Sequence, residues 1–130
     1  MVRTASRHQE IRAVAARMLE HCPYHSGRRI DTATGATSLS QALILAAGGV
    51  IRAGRGWACE PVETAARERL HEVARTLLAE AGVPVAAHSC PSRALARWER
   101  KVADPRLIYR LVGAHLDASH HLRITLSAAA

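Results

Sequence analysis

The sequence predicts an all-α fold, a compact bundle of about five helices with a small hairpin around residues 24–37. Three observations carry this. Apolar residues recur at helical spacing in four separate stretches. Helix start and stop residues bracket those stretches. The connections between them are short, as antiparallel packed helices require. The 130 residues suit a single domain, with residues 1–5 and 120–130 fraying. A chain of this size buries roughly two-thirds of its unfolded surface, so it needs no disulfide or metal to fold.

The first helix is expected over Ser6–His21. Ile11, Val14, Ala15, Met18, Leu19 and Cys22 form its apolar face, and Pro23 stops it. Residues 22–37 contain Gly27 and Gly35, and their pattern suits a hairpin or an ordered loop. Ser38 followed by Gln41 is a capping box, and a nearly all-apolar central helix follows over Leu39–Ala47. Arg52–Trp57 reads as a basic, Gly-rich connector.

Pro61 suits a first helical position. From there Val62, Ala66, Leu70, Val73, Ala74, Leu77, Leu78 and Ala81 mark a long amphipathic helix, ended by Gly82 with Pro84 beyond. Glu63–Arg67 and Glu72–Arg75 are spaced to pair on its outer face, and this charge-mixed surface could serve a homodimer. Ser92 is placed to cap a fourth helix running to Lys101. Asp104-Pro105 opens the last one, with Leu107, Ile108, Leu111, Val112, His115 and Leu116 as its apolar face. Arg123–Leu126 reads as a terminal strand or a frayed end.

Function is best signalled by the distribution of charge. The net charge is +7, from 17 Arg and one Lys against 11 acids. Residues 1–57 hold eight Arg and three acids, residues 58–91 three Arg and five acids, and residues 92–130 seven basic residues and three acids. A basic chain with an acidic middle favours a polyanionic partner. Arg93, Arg97, Arg100 and Lys101 fall on one face of the fourth helix, opposite Leu95, Trp98 and Val102. Such a stripe can follow phosphates, because each guanidinium offers paired donors to an anionic oxygen. Arg28, Arg29, Arg52 and Arg55 lie in Gly-containing segments suited to close approach to a phosphate backbone. Two Trp, two Tyr and no Phe are too few for stacking single-stranded bases, so duplex DNA is the favoured nucleic acid. The alternative is a non-enzymatic interaction module, an inhibitor or adaptor steered by charge onto an acidic protein.

No catalytic motif is found. The chain lacks a G-x-S-x-G elbow, a phosphate loop ending in Lys-Ser or Lys-Thr, and an H-E-x-x-H. His25, Ser26 and Asp31 supply triad residue types only as neighbours in sequence. Among eight His, His71 sits at the rim of a helix face, and His115 is expected to be a hydrogen-bonded core residue. Cys22 with His25, His88 with Cys90, and Cys59 are the available metal-ligand types, but their spacing does not make a zinc motif, so no metal or other cofactor is expected. Three Cys without a disulfide framework fit reduced thiols. With no leader and no run long enough for a membrane span, the reading is a cytoplasmic protein.

The Ile11–Ala16 segment, Asp31–Gly35 leading to Ser38-Leu39 and Ala46-Ala47, Leu95–Glu99, and Ile108 through Ala118 together resemble a family of small actinobacterial proteins of unknown function. These occur on phages, plasmids and other mobile elements. Where that family carries Trp-Asn-Asp, this chain carries Trp98-Glu99-Arg100. The resemblance implies a mobile-element or accessory setting and no known activity.

Overall fold

A computed structural model describes residues 2–25, 36–52, 57–86 and 89–116. The order of elements is α1 (Val2–His21), α2 (Leu39–Ala46), β1 (Val50–Arg52), β2 (Trp57–Cys59), α3 (Thr64–Glu80), α4 (Pro91–Lys101) and α5 (Pro105–Val112). The architecture is helical, with one small antiparallel sheet. Helix α1 packs on α2 and α3, α4 packs on α3 and α2, and α5 closes against α1 and α3. No helix among the described residues is long and apolar enough to cross a membrane.

The core lies where these helices meet. Leu19, Leu39, Leu43, Leu70, Leu77, Leu78, Leu95 and Ile108 are all buried. Each such side chain contributes about 1.5–3 kcal/mol relative to exposure. Tyr109 packs edge-on to Tyr24 with ring centroids 5.8 Å apart. Its hydroxyl donates to the Leu19 carbonyl at 2.8 Å, tying α5 to the last turn of α1. On the surface Arg12 of α1 forks onto Glu80 of α3 at 2.8 and 3.1 Å and donates to the Leu111 carbonyl of α5 at 2.6 Å.

Several sequence signals act as expected. Ser38 Oγ accepts from Gln41 N–H at 3.2 Å, and Gln41 Oε1 accepts from Ser38 N–H at 3.4 Å, completing the capping box. Asp104 caps α5, accepting from Arg106 N–H at 3.0 Å. The side chain and backbone N–H of Arg106 hold the Asp104 carboxyl below its usual range. Gly113 ends α5 at φ +81°, a left-handed conformation that glycine adopts without a Cβ clash. Glu72 and Arg75 pair on the outer face of α3.

Other expectations are corrected. Helix α1 begins at Val2, so residues 2–5 are helical and the start at Ser6 is four residues late. Residues 24 and 37 form an isolated parallel bridge, whereas a hairpin would make an antiparallel ladder; residues 26–35 lie outside the described set. The hairpin is formed by β1 and β2 instead, pairing Val50 with Cys59, Ile51 with Ala58 and Arg52 with Trp57, on either side of the supposed connector. Helix α3 starts at Thr64 with Glu63 at its cap position, which leaves Val62 outside the helix and 94% exposed. Glu63 and Arg67 share a backbone hydrogen bond, with no ion pair among the described contacts. Helix α4 is capped at Cys90, with Pro91 opening it, so Ser92 is free to point elsewhere. Leu107 is 48% exposed, and His115 is exposed because α5 stops three residues before it. Arg123–Leu126 and the remaining C-terminal residues lie outside the described set.

Gly49 seats the hairpin on α2. A Cβ there would stand 2.3 Å from the Cys59 carbonyl oxygen and 2.4 Å from Ile44 Cγ2. The first of these is backbone and cannot swing aside. Gly49→Ala is therefore expected to cost about 2 kcal/mol or more, read as a lowered denaturant midpoint with an unchanged m-value.

Candidate functional site

Helix α4 separates two chemistries along 11 residues. Leu95 and Glu99 lie one turn apart on its buried face, each 1% exposed. Arg93, Arg97, Arg100 and Lys101 are exposed. The first three border a cleft of about 690 Å³ whose opposite wall is built by Ser40 and Gln41 of α2 and by Cys59 and Glu60 at the end of β2. Among the described residues, none of the three has an acidic partner. They span about 10 Å of helix axis, a length over which a duplex carries about six phosphates. Of the other residues expected to bind, Lys101 is exposed off the cleft and Arg52 ends β1 outside the lining. Arg28, Arg29 and Arg55 lie outside the described residues, as do Ser26 and Asp31.

The floor of the cleft holds a carboxyl that sequence reasoning missed. Glu99 Oε2 accepts from the Tyr24 hydroxyl at 2.7 Å and from Leu39 N–H at 2.7 Å. Its Oε1 accepts from Ser40 N–H at 3.0 Å and from the Ser40 hydroxyl at 2.7 Å. The first turn of α2 thus presents its otherwise orphan N–H groups to a side chain from α4. Burial raises the Glu99 carboxyl above its usual range, and the four donors counter only part of that rise. Burial and the neighbouring Glu99 charge raise the Tyr24 hydroxyl as well. Both hydroxyls can turn round and accept, so the network also accommodates a protonated carboxyl. A signal for this residue was available, since Glu99 follows Leu95 by four and must share its face.

A second polar cluster opens onto the same cleft. Cys90, at the cap of α4, places Sγ 3.2 Å from Ser92 Oγ, 3.8 Å from Glu60 Oε1 and 3.9 Å from His71 Nδ1. His71 Nε2 lies 3.5 Å from Glu60 Oε2, and the Ser92 hydroxyl donates to Glu60 Oε1. The cysteines at 22, 59 and 90 are all free thiols. His88, the neighbour suggested for Cys90, lies outside the described residues; among the described ones Cys90 meets His71 and Glu60. Cys22 and His25 do not join this group. Separations of 11 and 19 residues between Glu60, His71 and Cys90 carry no motif spacing, so only the packing of α3 on α4 reveals the cluster.

Compared with protein-family models, curated proteins and solved structures, the chain matches none.

Proposed function

We propose that the protein binds nucleic acid, with duplex DNA as the favoured form, through phosphate contacts made by Arg93, Arg97 and Arg100, in an accessory or regulatory role. One observation carries the reading: three exposed guanidinium groups, without acidic partners among the described residues, along one edge of an open cleft. Fork-shaped donors that are not spent on internal carboxylates suit anionic oxygens of a ligand. The start of α2 is not part of the contact, because Glu99 and Ser38 already take its N–H groups.

A second reading is an acidic protein partner. It is favoured by Val50 and Ile51, which are 62% and 44% exposed on the strand behind the cleft wall. Exposed apolar residues on a strand match the apolar centre of a protein interface.

Titration into fluorescent duplex DNA at several salt concentrations separates the two. Log affinity is expected to fall linearly with log salt, with a slope of about −3 from the three arginines alone. No binding at low salt overturns the nucleic-acid reading and leaves the protein partner.

A further inference from the structure

We propose that Glu60, His71 and Cys90 form a site for a zinc-class divalent cation, with its fourth coordination position open toward the arginine-lined cleft. One ligand atom from each of the three residues falls within 4.8 Å of the others. Tetrahedral zinc with bonds of about 2.0–2.3 Å separates its ligand atoms by about 3.3–3.6 Å. The thiol lies 3.8 Å from the carboxylate and 3.9 Å from Nδ1, a few tenths of an ångström beyond those separations. With Nδ1 as ligand, Nε2 keeps its place 3.5 Å from the second oxygen of Glu60. A thiolate, an imidazole and a carboxylate are the donors zinc takes.

The three ligands come from different segments that the fold fixes. His71 sits inside α3, Cys90 occupies the cap position of α4, and Glu60 lies between β2 and the buried Pro61. The Ser92 hydroxyl bridges two of them, donating to Glu60 Oε1 and lying 3.2 Å from Cys90 Sγ, and so orients the carboxylate as outer partners do at metal sites. Glu60 and Ser92 both line the cleft, which gives an ion its way in and leaves its open position facing the arginines.

The competing reading is a thiol nucleophile with His71 as its base. The geometry opposes it, since the thiol has Glu60 Oε1 and Ser92 Oγ within reach at 3.8 and 3.2 Å as well as His71 Nδ1, and is not aimed at the imidazole alone. As a hydrogen-bonded cluster the sulfur would donate to one neighbour and accept from another over contacts of 3.2–3.9 Å. A divalent cation would instead draw the thiolate, imidazole and carboxylate together as ligands. The site stands whether or not the arginines hold nucleic acid.

The test uses the full chain stripped of metal, titrated with Zn²⁺ against a competing chromophoric chelator and separately with Co²⁺. One equivalent of zinc and a thiolate-to-cobalt charge-transfer band are expected. Cys90→Ser should abolish the band and weaken zinc binding by more than about 100-fold, and Ser92→Ala by about 10-fold. Serine suits a helix cap, so the Cys90→Ser protein keeps its helices, checked by far-ultraviolet circular dichroism. The double variant Cys22→Ser/Cys59→Ser should bind as the wild type does. No zinc uptake by the wild type, a cobalt band that survives Cys90→Ser, or its loss in the double variant would each overturn the site.

Discussion

Replacing Glu99 with Ala is expected to remove about 4 kcal/mol of folding stability and to lower Tm by about 10 °C or more. The side chain is buried, and its truncation strands four donors. The Tyr24 hydroxyl and Leu39 N–H are enclosed and lose their acceptor outright. Ser40 is half-buried at the cleft, so water reaches it and softens part of the penalty. Domains of this kind have about 5–15 kcal/mol in total, so the loss is a large share. Denaturant unfolding followed by circular dichroism measures it, and a change under 1 kcal/mol (about a quarter of that expected) would contradict the assignment.

The pH dependence of the same residue has a definite sign. The folded state holds the Glu99 proton more tightly than the unfolded chain does. Its contribution is therefore full below the ordinary glutamate range and is lost as pH rises through the raised value. Glu99→Gln, which resembles the neutral form, should lack this decline. Stability curves of the two proteins should separate as pH rises from about 4 toward neutrality, the wild type losing stability relative to the variant. Parallel curves would show that Glu99 binds protons equally in both states.

Removing Arg93, Arg97 and Arg100 together is expected to reduce the salt slope of DNA binding by about 3. Between about 50 and 200 mM salt the wild-type affinity should then fall about 40-fold further than the variant's. The three side chains are exposed and have no acidic partner among the described residues, so stability should change by no more than about 0.5 kcal/mol. Arg106→Ala with Arg110→Ala is the control, removing two positive charges against three. Both residues are exposed on α5, and neither lines the cleft. Equal losses per charge removed would mean that net charge, and not the α4 face, governs binding.

What was legible in the sequence is what local chemistry decides. Ser38 with Gln41, Asp104 with Pro105, and Gly82 after Glu80 mark helix ends because caps act within a few residues of themselves. The arginine face of α4 was legible for the same reason, as i, i+4 and i+7 define a face before any packing is known. Contacts between distant residues were not. The hairpin at Val50–Cys59 was missed because its strands are three residues long and Gly49 needs the α2 backbone to explain it. Pro61 misled the start of α3, since it is buried against the core and lies ahead of the helix. Glu99 was hidden by its type. A carboxylate in an arginine-rich helix reads as surface, and only the approach of α2 and Tyr24 supplies the donors that let it go inside.

The Glu99 contacts join residues 59 to 75 positions apart. Helices α1 and α2 are near neighbours in sequence and can associate as soon as both exist. The polar seam between them and Tyr24 stays open until α4 arrives. One carboxyl group from the last third of the chain thus completes a junction begun by the first third. A fragment ending before residue 99 would retain its local turns and lack the latch, and its amides at Leu39 and Ser40 would exchange with solvent at the rate of a frayed helix end.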